Sequence, residues 1–129
     1  MYGIRTDIGA GVIDIAVTGT WTEADLAGFA DALAKAATAI DATGRSHVVL
    51  CDYDSADAQP PGIVAGLKTL VANRPRSARK LALHATDPFA RARAQRVLGW
   101  RDDAAVFADR ASALEWLLGD QLDRYIRAG

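Results

Sequence analysis

The chain has 129 residues, of which half are hydrophobic and 24% are charged, and its formal net charge is −1. This length supports one domain over residues 1–129 with its own hydrophobic core, and the composition excludes an intrinsically disordered chain. The sequence shows no signal-peptide pattern, no hydrophobic run of the ~20 residues that span a membrane, and no second cysteine for a disulfide. We therefore expect a cytoplasmic protein without membrane insertion.

Hydrophobic periodicity and turn residues predict the order ββαβαβαβα, with the last helix continuing into a helical tail. Gly9-Ala10-Gly11 separates the first two strands as a hairpin, because glycine can adopt a positive φ there. The predicted strands are 2–8, 12–18, 47–52, 80–84 and 104–107; the helices after the first are 60–74, 88–98 and 110–118, with a tail at 121–127.

The start of the first helix is marked by capping residues. Thr22 and Asp25 form a capping-box-like pattern, and the helical spacing that follows ends at Gly44. Trp21 precedes the cap and Leu26 follows it, a spacing that predicts a hydrophobic staple. This structural role for Trp21 is favoured over a platform for a ligand.

The element order predicts an α/β fold with a five-stranded, mostly parallel sheet that begins with the antiparallel hairpin. Right-handed crossovers between strands adjacent in sequence place the helices largely on one face, as a β/α superhelix. The second strand is followed by GTWTEAD, a capped helix start. A doubly wound dinucleotide-binding sheet would carry a glycine-rich phosphate loop after an early strand, so that fold is disfavoured.

Four segments carry a resemblance to a known family: GTWTEADLAGF at the first helix, VVLCD and KLALHA in two central strands, and AVFADRASALEWLLG near the end. In this order they resemble the STAS domain, the fold of anti-sigma-factor antagonists and of sulfate-transporter tails. The small stand-alone STAS/SEC14-like bacterial proteins are the most similar group. The resemblance covers nearly the whole chain and implies a regulatory domain.

The sequence departs from the STAS pattern where the third strand meets the next helix. In the anti-sigma-factor antagonists an acidic strand end leads to a Ser-Ser-Gly-Leu-like helix start, and one serine is phosphorylated. Here that motif falls on Pro60, Pro61, Gly62 and Ile63, and proline has no hydroxyl. Ser55 lies among acidic residues, where added phosphate would meet like charge. The phosphorylation switch is therefore not expected in this chain.

Two neighbouring regions form the predicted binding surface. One is the strand-to-helix junction over 52–62, and the other is the helix over 88–98, which lies in a basic middle third of the chain. A solvated helix face is the preferred interpretation of the arginines, and contact with an anion or an acidic partner is the alternative. The candidate binding residues are Asp52, Asp54, Ser55, Asp57, Pro60, Pro61, Gly62, Arg91, Arg93 and Arg96. Trp100 either covers the helix end or lies exposed as part of a partner surface.

Catalytic and metal sites are less well supported. Cys51 and His84 lie at the ends of neighbouring predicted strands, but nearby acids would raise the thiol pKa, so a buried, inert cysteine is favoured. Asp52, Asp54 and Asp57 resemble the start of a calcium loop that lacks its glycine and terminal glutamate, so solvated acids are favoured. We expect no catalytic residues, no metal and no cofactor.

The leading hypothesis is a non-catalytic, cytoplasmic STAS-like regulatory or protein-interaction domain without the phosphorylatable serine. The alternative is a protein that binds a small ligand, for which an anion or nucleotide is favoured over a long lipid because the chain is short. A thiol enzyme using Cys51 and His84 is a minor alternative. We expect a protein partner, with a small anionic ligand or pairing with a second copy as further options, and no nucleic acid, because aromatic residues do not interleave with the arginines.

Overall fold

A computed structural model describes residues 1–128 and contains the predicted strands and helices in the predicted order. The strands are β1 (Tyr2–Asp7), β2 (Val12–Val17), β3 (His47–Asp52), β4 (Ala78–His84) and β5 (Ala104–Phe107). The helices are α1 (Glu23–Asp41), α2 (Pro61–Ala72), α3 (Pro88–Leu98), α4 (Arg110–Leu118) and α5 (Leu122–Ala128), with a 3-10 turn at Gly119–Gln121 between the last two.

The five strands form one sheet in the order β1-β2-β3-β4-β5. The β1–β2 pair is antiparallel, and every other pair is parallel. This arrangement confirms the predicted α/β class with its hairpin start. The central strand, β3, is buried from His47 through Cys51, as expected for a parallel strand that is covered on both faces.

The two faces of the sheet carry helices unequally. α1, α2 and α3 cover the face that presents Ile13, Ile15, Val49, Leu81 and Leu83. α4 covers the opposite face, where it packs on Val12, Val48, Leu50 and Ala82, all fully buried. The prediction that the helices lie largely on one face thus holds for α1–α3. The second face of the sheet is also hydrophobic, and α4 shields it from water.

Element boundaries differ from the predicted ones by a few residues. β4 begins at Ala78, and α2 runs from Pro61 to Ala72 instead of 60–74. The helical tail is interrupted at Gly119, which adopts a φ of +51°, a backbone conformation that favours glycine. No helix in the described part of the chain is long and apolar enough to cross a membrane.

The start of α1 is built as the sequence predicts. Thr22 and Asp25 form a reciprocal capping box, with the Asp25 N–H donating to Thr22 Oγ1 at 3.2 Å and the Thr22 N–H donating to Asp25 Oδ2 at 2.9 Å. The Trp21 ring lies 5.7 Å from Tyr2 and 5.0 Å from Phe29, between ring centroids. Because Trp21 is only 2% exposed, its structural role is confirmed.

Candidate functional site

The loop over 53–60, between β3 and α2, is held in place by hydrogen bonds to the segment after β2. The Gly19 N–H donates to Ser55 O at 2.9 Å, and the Asp57 N–H donates to Gly19 O at 3.2 Å. Gln59 accepts from the Trp21 N–H at 2.7 Å and donates through Nε2 to Gly19 O at 2.8 Å. These bonds, from the loop backbone and from the Gln59 side chain, hold the loop in place. The side chains of Asp54, Ser55 and Asp57 do not take part in them and are exposed.

The start of α2 presents a hydroxyl-free surface. Pro60 is the residue before the helix, Pro61 is its first residue, and among the described residues no side chain caps this end. Pro60, Pro61 and Gly62 are all exposed. An added Cβ on Gly62 would lie 3.4 Å from Glu23 Oε1, so this corner also lies close to the start of α1.

The arginines of α3 do not behave as one set. Arg91 donates through Nη1 to Ala85 O at 3.0 Å and to Thr86 O at 2.7 Å. Arg93 donates through Nη2 to Ala56 O at 3.2 Å and so ties α3 to the loop after β3. Arg96 is exposed. Two of the three predicted arginines therefore bind backbone carbonyls within the protein, and Arg96 is the one that faces solvent.

Two aromatic side chains lie exposed at the ends of α3. Phe89, in the first turn, is 75% exposed, and Trp100, just after the helix, is 91% exposed. The structure thus resolves the alternatives for Trp100 in favour of exposure. Sequence reasoning missed Phe89, although its position seven residues before Arg96, about two helical turns, places both on the same side of α3.

On the α4 face of the sheet, polar residues gather where β3 and β4 end. Asp52 and His84 are partners in the parallel register, so their side chains lie on the same face. The Asp54 N–H donates to Asp52 Oδ1 at 3.0 Å. Asp14 of β2 accepts two bonds from Arg110, at 3.2 and 2.7 Å. Sequence reasoning missed this Asp14–Arg110 pair because 96 positions separate the two residues.

His84 is the buried member of this group, with 5% of its surface exposed. Burial lowers the pKa of its imidazole, and the nearby Asp52 acts in the opposite direction. Its Nε2 is buried and has no hydrogen-bond partner among the described residues. His47 is also buried, and it is the first residue of β3, whereas His84 is the last residue of β4. The two histidines therefore lie at opposite ends of these parallel strands, as predicted.

Cys51 and His84 do not form a pair. Cys51 lies in the core beneath α1–α3, whereas His84 shares the opposite face with Asp52. Burial raises the pKa of the Cys51 thiol, and Asp52 raises it further. The geometry required by the minor alternative, a thiol activated by this histidine, is therefore not present.

A hydrophobic groove of about 410 Å³ runs between α1 and α2 above the sheet. Phe29 and Leu33 of α1, Leu67 and Leu70 of α2, and Leu83 of the sheet are among its lining residues. Hydrophobic residues of this kind are expected to lie in the core. Their spacing carries no signal for the groove, because the gap depends on how far apart the two helices pack.

A second cleft, of about 690 Å³, lies at the amino edge of the parallel strands and is more polar. Arg45, Arg79 and Arg124 line it together with Tyr125. All three arginines are exposed, and they come from separate parts of the chain. This cleft was not found by sequence reasoning, which looked for basic residues that are close in sequence.

Comparison with known proteins identifies the fold. No protein-family model matches the chain, and no curated protein matches its sequence. An uncharacterised DUF3478-family protein with a SpoIIAA-like fold from Shewanella loihica superposes with a TM-score of 0.66 at 19% identity, over 91% of this chain and 92% of that one. This chain has a SpoIIAA-like fold. An anti-sigma factor antagonist from Mycobacterium paratuberculosis gives a TM-score of 0.63 at 14% identity, over 91% and 94% of the two chains.

The SpoIIAA-like fold confirms the predicted α/β architecture. The fold does not by itself assign an activity, because function resides in sites carried by a fold.

Proposed function

We propose that this protein is a non-catalytic, cytoplasmic regulatory domain that binds a protein partner through one continuous surface. That surface, called here the recognition surface, consists of the junction over 54–62 and the outer side of α3 with Trp100. Its contact with the partner depends on shape and charge and involves no phosphorylation of the junction. The partner we expect offers an apolar pocket for an aromatic side chain and acidic residues for arginine.

The observation that carries this proposal is the exposure of Trp100 and Phe89 on either side of Arg96. Tryptophan and arginine are the residues most enriched among those that dominate binding energy at interfaces. Trp100 is 91% exposed and Phe89 75% exposed, so neither contributes its ring to the core. α3 has 11 residues and is therefore roughly 16 Å long, with Phe89 in its first turn and Trp100 two residues after its end.

Hydrogen bonds connect the two parts of the recognition surface, the junction loop and α3. Arg93 of α3 donates to Ala56 O in the junction loop at 3.2 Å. Thr86, just before α3, donates through its N–H and its Oγ1 to the carboxylate of Asp54. A partner that contacts Phe89 can therefore also reach the exposed residues of the junction, which are held in a fixed position before binding.

The environment of Cys51 supports a binding role over a thiol-dependent reaction. Cys51 is buried on the face opposite His84, and its raised thiol pKa keeps it protonated at neutral pH. Pro60 and Pro61 carry no hydroxyl at the helix start.

The experiment is titration calorimetry with the purified proteins encoded beside this gene. We expect one of them to bind the wild-type protein, and we expect Trp100→Ala to weaken that binding by about 2 kcal/mol, or roughly 30-fold. Arg96→Glu should weaken it at least tenfold, because it places an acid opposite acidic partner residues.

Matched controls separate the recognition surface from general surface effects. Ile126→Ala removes a hydrophobic side chain that is 60% exposed, and Arg124→Glu reverses an exposed arginine, both on α5. Neither change should alter the affinity. Equal effects of Arg96→Glu and Arg124→Glu, or full binding by Trp100→Ala, would exclude the recognition surface.

The groove between α1 and α2 favours a second candidate function, the binding of a small apolar molecule. Its volume of about 410 Å³ lies within the range of roughly 300–1,000 Å³ of small-molecule sites, and its lining is mainly aliphatic and aromatic. Arg74, the arginine in this lining, forms an ion pair with Asp103. The groove therefore favours an apolar ligand over the anion or nucleotide that the chain length suggested.

Native mass spectrometry followed by fluorescence titration with a medium-chain fatty acid tests this second candidate. Ala34 lines the groove and is exposed, so Ala34→Phe should fill the opening and abolish binding without disturbing the fold. Ala39→Phe, also exposed on α1 but outside the groove lining, is the control and should bind as the wild type does. Equal binding by both variants would remove the groove as the site.

A further inference from the structure

A compact set of three potential metal ligands lies at the carboxyl edge of the sheet, under the start of α4. Asp52 ends β3 and His84 ends β4, and the two are partners in the register. Asp54 joins them from the junction loop. One imidazole nitrogen of His84 and one oxygen from each carboxylate all lie within 4.8 Å of one another.

The imidazole of His84 is a buried polar group whose Nε2 has no hydrogen-bond partner among residues 1–128. Only 5% of the residue is exposed, and the Nε2 atom itself is buried. Buried polar groups nearly always have a partner, because an unpaired one has lost its hydrogen bonds to water without replacement. An imidazole in this position, next to two carboxylate oxygens, is suited to bind a cation.

The two carboxylates are already oriented by hydrogen bonds from the backbone and from Thr86. The Asp54 N–H donates to Asp52 Oδ1 at 3.0 Å, and Thr86 Oγ1 donates to Asp54 Oδ2 at 3.3 Å. The Thr86 N–H donates to the other oxygen of Asp54. Such bonds to metal-ligating carboxylates fix their position and are a regular part of metal sites.

The neighbouring cation does not occupy the set. Arg110 is turned to Asp14, to which it donates two hydrogen bonds at 3.2 and 2.7 Å. Asp14 also accepts from Arg5 at 3.2 Å. The two arginines therefore pair with Asp14, and the charges of Asp52 and Asp54 remain available for another cation.

We propose that Asp52, Asp54 and His84 bind one Zn²⁺ ion, with water completing its coordination. One imidazole and two carboxylates match the nitrogen and oxygen ligands that zinc accepts, whereas calcium and magnesium prefer oxygen alone. Ligand atoms in a tetrahedral zinc site are about 3.3 Å apart. The three atoms must therefore approach one another, which requires the exposed Asp54 side chain to shift within its bonds to Thr86 while the loop backbone stays in place.

Binding is tested on the full chain after chelator treatment, by calorimetric titration with ZnCl₂ alone. We expect one ion per chain with an affinity in the micromolar range, and a visible absorption band when Co²⁺ replaces Zn²⁺. Asp54→Asn and His84→Gln should each weaken Zn²⁺ binding at least tenfold. Asp54 is exposed, so the first variant stays informative even where His84→Gln fails to fold.

The chain supplies a matched control for each of the two substituted ligands, Asp54 and His84. Asp57→Asn removes a carboxylate of the same loop that lies outside the set, and His47→Gln removes the other buried histidine, at the opposite edge of the sheet. Both should bind Zn²⁺ as the wild type does. Failure of the wild-type protein to take up one equivalent, or affinity that persists in Asp54→Asn, would overturn the proposal.

Discussion

The same substitution at two tryptophans should change stability by very different amounts. Trp21 is 2% exposed and packs against Tyr2 and Phe29, whereas Trp100 is 91% exposed. A buried tryptophan hides up to about 250 Å² of surface, which at about 25 cal/mol per Å² corresponds to roughly 6 kcal/mol. Measured truncations of buried aromatic residues cost about 3–5 kcal/mol, and we expect Trp21→Ala to fall in this range.

Trp21 also contributes a polar contact, because its Nε1–H donates to Met1 O at 3.0 Å. Trp21→Phe keeps most of the ring packing and removes this bond, so we expect it to cost less than Trp21→Ala, about 1–2 kcal/mol. Trp100→Ala should change stability by less than about 0.5 kcal/mol, as is usual for exposed positions.

Urea unfolding followed by circular dichroism measures all three variants. For a domain of this length, about 1 kcal/mol shifts Tm by roughly 3–5 °C, so Trp21→Ala should lower Tm by about 9–25 °C in thermal unfolding. Loss of more than about 1.5 kcal/mol in Trp100→Ala would mean that this ring packs in solution. That result would refute both its assignment to the surface and the use of Trp100→Ala as a binding variant.

Three further predictions concern single residues elsewhere. Burial lowers the pKa of the His47 imidazole, and Asp41 acts in the opposite direction. Below about pH 6.5 the unfolded chain therefore takes up a proton at His47 more readily than the folded protein does, so the free energy of unfolding falls as pH falls. Between pH 7 and 5 this fall should be shallower in His47→Asn. Cys51 should react with a thiol reagent only in denaturant, and rapid reaction of the folded protein at pH 7.5 would contradict its burial. Thr22→Ala should cost about 1 kcal/mol in urea unfolding through loss of the capping box, whereas an unchanged midpoint would show that Asp25 alone sustains this end of α1.

Local sequence signals were sufficient for most of the fold. β3, α3, β5 and α4 begin and end where periodicity and caps placed them, because each has a defined hydrophobic pattern with a turn or capping residue at its ends. The position of α4 was harder to predict. The near-continuous hydrophobic run of β3 is the signal that both faces of the sheet are covered, and it implies a helix on the second face.

The candidate sites depended more on contacts between distant segments. The junction was recognisable because its residues are consecutive in the chain, between a hydrophobic strand and a Pro-Pro-Gly helix start. The grouping of Asp52 with His84 requires the register between β3 and β4, where a shift of one residue would move His84 to the other face. Phe89 was identifiable in principle, since it lies outside the hydrophobic stripe of Ala90, Ala94 and Val97 on α3.

Under the proposed function, the ordered junction would let this domain recognise a partner without phosphorylation of the junction. A phosphate changes the charge of a helix start and so switches binding. Here Pro60 and Pro61 restrict the backbone at the helix start. The loop before it is held by hydrogen bonds to its backbone carbonyls from the Gly19 N–H and from the Arg93 guanidinium. A surface that is ordered before binding loses less conformational entropy on association, so it favours constitutive affinity over switching. Under the same proposal, regulation would come from the proposed cation near Asp54, from an occupant of the groove, or from the supply of the partner itself.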